Sequence, residues 1–328
     1  MRFLVALWLT LAALPAFAQC AGPSFLDRLS PAQSARLDAA VARVPFAQGL
    51  AFEAVRGDDR LFLVGTIHIH DARLMALRDR IAPEIAGADV LLVEASPEDA
   101  AALQSHLASN PDLMFLPDGP TLPELLTEDT WTALSDAARA RQIPPFMAAK
   151  MQPWFLSLSL AIAPCAMADM MAGREGLDFL LMDSAEADGV PIRSLEPWSL
   201  VIDLMREGTL DEQIAGLEMG LLPSDVSSEL FVAMMEEYLA GRAARVWEAS
   251  RIALDFVPGL DPAQAEALFD EMEAKLLDRR NRDWMPVIAE TMAQADRAVI
   301  AVGAAHLPGE VGVLRLLEAE GWTITPVF

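Results

Sequence analysis

The chain has 328 residues, of which 53% are hydrophobic, and this length suffices for one large α/β domain or two smaller ones. Its formal net charge of −24 argues against binding to nucleic acid or to anionic lipid surfaces. No segment beyond the N-terminus reaches the roughly 18 uninterrupted apolar residues that a membrane span needs. The composition therefore favours a globular protein with a solvated acidic surface.

The first 18 residues have the pattern of a signal peptide. One positive charge at Arg2 is followed by the apolar run 3–14 and by the small-x-small sequence Ala16-Phe17-Ala18. Cleavage after Ala18 would start the mature chain at Gln19 and place it in the periplasm or outside the cell. The alternative is a retained N-terminal anchor.

Cys20 and Cys165 are the two cysteines of the chain. Because two cysteines in an oxidising compartment often form a disulfide, we predict a bridge between Cys20 and Cys165. Sequence alone does not show that the two Cα atoms come close enough.

The first structural unit is a predicted hairpin followed by a βαβ unit. Residues 51–55 and 60–64 flank the turn sequence Gly57-Asp58-Asp59. Asp71 can cap a helix whose apolar residues recur at helical spacing: Leu74, Leu77, Ile81 and Ile85. The strand 90–93 then ends at Glu94, and strands joined through a helix should be parallel.

The middle of the chain reads mainly as helices. Residues 98–170 are helical in pattern but interrupted by prolines, and a helix is predicted over 174–188, with Gly189 at its end. The strand 190–195 stops at Glu196, and residues 199–257 again favour helices.

The last third predicts a long helix and a closing strand–helix–strand unit. Pro262 opens the helix, which carries Leu268, Met272, Leu276 and Trp284, and Pro286 should kink or break it. A strand over 298–302, a helix over roughly 310–320 and a strand over 322–327 follow. The predicted fold is α/β: one domain over 19–328, with a mainly parallel sheet, flanking helices and a large helical insertion at about 98–170 and 199–295.

Two apolar runs end in the same motif. Residues 61–68 and 298–306 each finish in Gly-x-x-His, at His68 and His306, and the chain has only four histidines. If the two runs are neighbouring parallel strands, both imidazoles lie at the carboxyl edge of the sheet, where α/β folds build their sites.

The strand ends also supply carboxylates. Glu94 can join His68 and His306 at that edge, and Glu196 follows another predicted strand. Two imidazoles and a carboxylate suit Zn²⁺, Mn²⁺ or Co²⁺, and a metal-bound water is a good nucleophile. The alternative is that each histidine only hydrogen-bonds to the backbone. His70 is either a further ligand or a surface residue.

Arg280 lies in the densest basic run of the chain, residues 279–282. It falls at i±4 spacing from Leu276 and Trp284, so it should point inward. An inward arginine either binds a substrate or developing oxyanion, or forms a structural ion pair with a core carboxylate such as Asp178. His106, in the polar stretch 104–106, is expected to be exposed.

Six stretches together resemble the TraB/GumN family, whose wider group includes the TIKI metalloproteases. They are Val64-Gly65-Thr66-Ile67-His68, Leu92-Val93-Glu94, Gly176-Leu177-Asp178, Ser194-Leu195-Glu196, Arg280-Asn281 with Trp284, and the run from Val302 to Leu307 with Gly309 and Gly312. The resemblance spans nearly the whole mature chain. It implies a fold like that of erythromycin esterases and heme-binding ChaN-type proteins.

The resemblance also implies a site and an activity. His68, Glu94, His306 and Arg280 would form the site, and Asp178, Glu196, Asn281 and His70 would support it. The TIKI branch implies metal-dependent cleavage of peptides.

The leading hypothesis is a periplasmic or secreted metal-dependent hydrolase directed at peptides, with a peptide or small molecule as its partner. The alternative is a protein that sequesters a peptide or heme without chemistry.

Overall fold

A six-stranded sheet organises the computed structural model, which describes residues 20–257 and 259–328. The predicted signal peptide lies outside the described residues. The strands are β1 (Ala51–Arg56), β2 (Asp59–Thr66), β3 (Val90–Val93), β4 (Ile192–Ser194), β5 (Arg297–Gly303) and β6 (Thr323–Pro326).

Helices make up most of the remaining described structure. Their bounds are α1 (Phe25–Arg28), α2 (Pro31–Val41), α3 (Leu74–Ala86), α4 (Pro97–Ser109), α5 (Leu122–Leu125), α6 (Glu128–Ala140), α7 (Pro145–Ala148), α8 (Pro153–Ala161), α9 (Met167–Met171), α10 (Leu177–Asp188), α11 (Leu200–Arg206), α12 (Leu210–Met219), α13 (Ser224–Leu239), α14 (Ala243–Ala253), α15 (Pro262–Glu273), α16 (Arg279–Met292) and α17 (Val313–Ala319).

The sheet is mixed, with strand order β4-β3-β5-β2-β1-β6. Strands β4, β3, β5 and β2 pair in parallel, whereas β1 is antiparallel to both β2 and β6. The predicted hairpin and the parallel orientation of β2 and β3 are confirmed, but β5 lies between these two strands. The two Gly-x-x-His runs are therefore adjacent parallel strands, with Val64 beside Ala301.

Alternation along β5 explains why both faces of the sheet are covered. Ile300 and Val302 pack with Trp284 of α16 on one face, whereas Val299 and Ala301 pack against α3 and α10 on the other. Successive side chains of a strand point to opposite faces, so a strand that is apolar at every position needs helices on both sides.

Three predicted helix features are corrected by the structure. Helix α10 begins at Leu177 rather than near Arg174, because the extended Gly176 before it packs against the chain after β2. The helix that Pro262 opens continues from α15 through a π-helical turn over 274–278 into α16. Pro286 does not break α16, which runs on to Met292. Pro286 lies on an exposed face, where water can solvate the carbonyl that loses its N–H partner. Asp71 binds Arg73 rather than capping α3.

The N-terminal segment is tied to the helical layer. Cys20 is bonded to Cys165, across 145 positions, with their Cα atoms 5.2 Å apart. Cys165 lies in a 3-10 turn over 164–166, between α8 and α9. Helix α1 packs onto α13 through Phe25 and through Arg28, which binds Asp225 and Glu229.

No single helix within residues 20–257 and 259–328 combines the length and apolar character of a membrane span. Helix α8 and the segment 164–171 meet those criteria only when taken together, and they are bent by 79° at the break between them.

Candidate functional site

The carboxyl ends of four adjacent parallel strands hold the candidate site. Glu94 follows β3, Glu196 follows β4, and His68 and His306 follow β2 and β5. Glu94 Oε1 accepts a hydrogen bond of 2.7 Å from the N–H of Gly303, at the end of β5. This bond fixes the carboxylate between its own strand and the neighbouring one.

Arg280 of α16 joins the two glutamates. Its Nε and Nη2 donate to the carboxylate of Glu196 at 2.9 and 2.6 Å, and Nη2 also donates to Glu94 Oε2 at 2.5 Å. The arginine is 6% exposed, so the prediction that it points inward is confirmed. Its carboxylate partners are these two glutamates and not Asp178, which was the example expected from the sequence.

The carboxylate of Glu196 accepts three hydrogen bonds within this network. Besides Arg280, its Oε2 accepts a hydrogen bond of 2.8 Å from Trp284 Nε1. Trp284 is fully buried and its ring also lies 4.4 Å, centroid to centroid, from the ring of His306. One turn of α16 therefore holds the glutamate, the arginine and the second histidine in a fixed arrangement.

His306 is buried, with 5% of its side chain exposed. Its Nδ1 lies 2.7 Å from Asn281 Oδ1, and the amide nitrogen of Asn281 donates to the carbonyl of Val311 at 3.0 Å. Because the amide nitrogen of Asn281 donates to Val311, the atom of Asn281 that faces the imidazole is Oδ1, an acceptor. Nδ1 of His306 therefore carries the proton. Nε2 is then the nitrogen with the lone pair, and it lies 3.2 Å from Arg280 Nη1.

His68 is held in a similar way but is open to solvent. Its Nδ1 lies 2.8 Å from Asp178 Oδ2, while 62% of the side chain is exposed. Asp178 is the second residue of α10, directly after Leu177, whose N–H donates to the carbonyl of Ile67. The N-terminus of α10 therefore positions both the backbone and the ring of His68, and within the described residues Nε2 of His68 makes no hydrogen bond.

The pKa values of the two histidines are shifted in opposite directions. Burial lowers the pKa of His306 to about 3, although the charge of Glu94 opposes this shift. Desolvation also lowers the pKa of His68, but the hydrogen bond and charge of Asp178 raise it to about 9. Since His68 is largely exposed, we regard the Asp178 contact as the dominant cause.

The pKa values of Glu94 and Arg280 are set by burial and by the charges of their neighbours. Burial alone would raise the pKa of Glu94, but the positive charges of protonated His306, Arg280 and His68 hold it at about 2. Because His306 is neutral above its own low pKa, Arg280 and protonated His68 are the positive groups that lower the pKa of Glu94 at neutral pH. Burial lowers and Glu196 raises the pKa of Arg280, with a net increase. The buried part of the site thus has two carboxylates and one guanidinium.

The two motif glycines serve close packing. A Cβ built on Gly65 would lie 2.8 Å from Ala304 Cβ, so the two Gly-x-x-His segments pack directly against each other. A Cβ on Gly303 would lie 3.1 Å from Glu94 Oε1. Neither glycine has a positive φ. Close packing, rather than a left-handed backbone conformation, is therefore what favours glycine at both positions.

Among the described residues, neither of the two remaining histidines hydrogen-bonds to this network. His70 is half-buried, and its Nδ1 is 3.2 Å from the backbone carbonyl of Glu175. His106 is exposed on α4, as predicted, with its ring 5.0 Å from that of Trp198.

Sequence reasoning missed two residues that support the first histidine. Tyr238 of α13 donates from its hydroxyl to the carbonyl of Gly65 at 2.9 Å, inside the core. Gly176 lies so close to the chain after β2 that a Cβ on it would be 2.2 Å from the carbonyl oxygen of Ile67. Tyr238 is the only tyrosine of the chain, but that alone does not indicate its partner. Gly176 lay within a stretch of the family resemblance, yet its contact depends on the fold.

The donor chemistry of the site suits a divalent metal. Both imidazoles have Nδ1 held by an oxygen atom, the arrangement that orients Nε2 toward a metal, and Glu94 supplies an oxygen ligand. In the present geometry Glu94 is bound by Arg280, and within the described residues no three such side chains are grouped as a metal site. To bind a metal together, Glu94 Oε2 and His306 Nε2 would have to release Arg280, and His68, which is protonated at neutral pH in this geometry, would have to lose its Nε2 proton. Arg280 would keep its two bonds to Glu196.

These features define an α/β protein with a histidine, glutamate and arginine network at the carboxyl ends of parallel strands. The chain belongs to the TraB/PrgY/gumN family, which it matches over residues 50–326. The resemblance inferred from the motifs is therefore confirmed, and the match includes all six strands and the network.

Two curated proteins illustrate the sequence similarity. The uncharacterized protein YbaP of Escherichia coli strain K12 is 24% identical over 262 residues, which are 80% of this chain and 89% of that protein. The uncharacterized protein YbaP of Shigella flexneri has the same identity and coverage.

Proposed function

We propose that the protein is a metal-dependent hydrolase that acts on peptides in the periplasm or outside the cell. The observation that carries this proposal is the pair of imidazoles whose Nδ1 atoms are fixed by Asp178 and Asn281, beside Glu94 and a buried arginine. The compartment follows from the predicted signal peptide. An erythromycin-esterase-like fold, implied by the family resemblance, is part of the same proposal.

Each residue of the network has a definite role in such a reaction. His68, His306 and Glu94 would hold Mn²⁺, Zn²⁺ or Co²⁺, which when bound lowers the pKa of a water molecule and makes it nucleophilic. Asp178 and Asn281 hold the imidazoles in the tautomer that presents Nε2. The excess of carboxylates over guanidinium in the buried site favours a bound cation.

Arg280 provides the electrostatic part of the mechanism. Glu196 fixes it with two hydrogen bonds, and Nη1 points toward His306. Hydrolysis of an amide places negative charge on the carbonyl oxygen, and a preorganised guanidinium in a buried site stabilises that charge. Arg280 Cζ also lies 5.1 Å from the centroid of the Trp284 ring, and Nη1 donates to the backbone carbonyl of Leu276 at 3.1 Å, so further contacts restrict the guanidinium.

The first test is the metal content of the purified mature protein. We expect a stoichiometric amount of manganese, zinc or cobalt in the wild type and much less in His68→Ala and His306→Ala. His106→Ala is the matched control, because His106 is exposed and lies outside the network. If neither site variant lowers the metal content, or if reconstitution loads no metal, the proposal fails.

The second test separates hydrolysis from binding. A peptide library is incubated with the metal-loaded protein with and without a chelator, and cleavage is read by mass spectrometry. Cleavage that the chelator abolishes supports the proposal. Peptide that binds but stays intact, or a Soret band after heme addition, would instead support the sequestering protein.

A further inference from the structure

The two histidines of the site are held by very different surroundings. His306 lies in a buried 3-10 turn over 304–306, packed against Trp284. His68 lies in the irregular segment 67–70, beyond the last pairing residue of β2. The position of His68 therefore depends on what packs against this short segment, which we call the first histidine segment.

One side of the first histidine segment rests on the start of α10. The carbonyl of Ile67 accepts from the N–H of Leu177 at 2.8 Å, and His68 contacts Asp178. His70 contacts the carbonyl of Glu175 on the same side.

The other side rests on an apolar cluster that contains the disulfide. Ile67 and Ile69 pack on what we call the disulfide cluster. Its members are Cys20, Ile162, Ala163, Cys165, Ala166, Phe231, Met234 and Met235. Ile69 contacts this cluster and Ile67 contacts both it and the cluster that contains Leu177, while the two histidine rings contact the start of α10 and the carbonyl of Glu175, which precedes it.

The disulfide cluster has two parts, one on α13 and one in the 3-10 turn over 164–166, and the disulfide holds them together. Phe231 and Met235 belong to α13, which also anchors α1 and hence the chain leading to Cys20. Cys165 and Ala166 belong to a 3-10 turn of three residues. The cross-link thus holds this short turn against α13, under the first histidine segment.

We propose that the Cys20–Cys165 disulfide positions His68, by holding in place the apolar cluster on which Ile67 and Ile69 rest. Breaking the cross-link loosens the first histidine segment and leaves the turn of His306 in place. The activity part of this inference rests on the proposed function, whereas the structural part does not. In an oxidising compartment the cross-link persists, and a reductant disables the site.

Hydrogen exchange of the folded mature chain tests the structural part. In Cys20→Ser/Cys165→Ser we expect the amides of residues 67–70 and of Leu177 to exchange about tenfold faster than in the wild type. Amides of 303–307 should keep their rates. Dithiothreitol, which reduces the disulfide to two thiols and is itself oxidised to a cyclic disulfide, should give the same local change in the wild type.

A matched variant separates local loosening from general loss of stability. Leu122→Ala removes a fully buried side chain from a different cluster, with Leu134 and Leu156. Both variants are compared at the same interval below their melting temperatures. If the first histidine segment exchanges equally in both, the disulfide is only a general cross-link and the inference is overturned.

Ile69→Ala provides a second variant that keeps the disulfide. It removes the contact from the side of the first histidine segment, and we expect the same local increase in exchange. If the serine variant does not fold, this variant and the reduced wild type decide the matter. Unchanged exchange in both would overturn the inference.

Kinetics distinguish this inference from the proposed function. If the protein cleaves peptides, the serine variant should lose about 10- to 100-fold in kcat, because small displacements of a reacting group are costly, and Leu122→Ala should not. If the serine variant cleaves peptides with unchanged kcat and shows unchanged exchange, the inference is overturned and the hydrolase proposal stands. If exchange is locally faster but neither the wild type nor any variant cleaves peptides, the hydrolase proposal is overturned and the positioning role of the disulfide stands.

Discussion

Replacing Glu196 by glutamine should destabilise the protein more than any surface ion-pair substitution. The Glu196 side chain is 5% exposed, pairs with an arginine side chain that is 7% exposed, and accepts three hydrogen bonds from Arg280 and Trp284. Removing one partner of a buried ion pair typically costs about 3–5 kcal/mol, because the remaining charge stays desolvated. Here Arg280 keeps Glu94, so we expect about 2–4 kcal/mol for Glu196→Gln.

The assay is urea unfolding followed by circular dichroism, with a thermal scan beside it. A loss of this size corresponds to a fall in melting temperature of roughly 3–6 °C for a chain of this length. Glu290→Gln is the control, because Glu290 pairs with Arg193 at 2.8 Å but its side chain is 60% exposed. That variant should lose about 0.5 kcal/mol or less. Equal losses in the two variants would refute the view that Arg280 depends on a buried partner.

Three further outcomes follow from packing, charge and the cross-link. Gly176→Ala forces a methyl group against the carbonyl of Ile67 and should cost about 1–3 kcal/mol in thermal unfolding, whereas Gly216→Ala, with open space on α12, should be neutral or stabilising. Burial raises the pKa of Asp71 but hydrogen bonds from Arg73 lower it overall, so its stabilisation is present above the unfolded-state pKa and is lost as pH falls through the lower folded-state value. The stability gap between wild type and Asp71→Asn should therefore be constant near neutral pH and narrow below about pH 4; a constant gap down to pH 2 would contradict this. Reducing the disulfide, which spans 145 positions, should cost about 4–5 kcal/mol in urea unfolding, and no loss would show that the unfolded chain is not constrained by it.

Much of the fold could be predicted because it depends on local patterns. Alternating or continuous apolar runs predicted the strands, and the polar residues after three of the runs, Glu94, His68 and His306, were predicted to form the site. Two similar runs with the same ending suggested that β2 and β5 could be parallel neighbours, and the pairing of the strands confirms it. These features depend on periodicity, which sequence displays directly.

The contacts inside the site could not be predicted in the same way. Helical spacing showed that Arg280 points inward, but its choice of Glu196 and Glu94 depends on how α16 crosses the sheet. The hydroxyl of Tyr238 meets a carbonyl 173 positions away, and no local pattern encodes that separation. The difference in exposure between the two histidines likewise depends on packing by distant helices.

The contact between Gly65 and Ala304 restricts which residues can stand in the first histidine motif. A Cβ built on Gly65 would lie 2.8 Å from Ala304 Cβ and also 2.9 Å from Ala304 Cα. Gly65→Ala should therefore be poorly tolerated, and adding Ala304→Gly should recover only part of the lost stability, because the contact with the backbone remains. Among related sequences, glycine at position 65 is accordingly expected to persist even where position 304 varies among small residues.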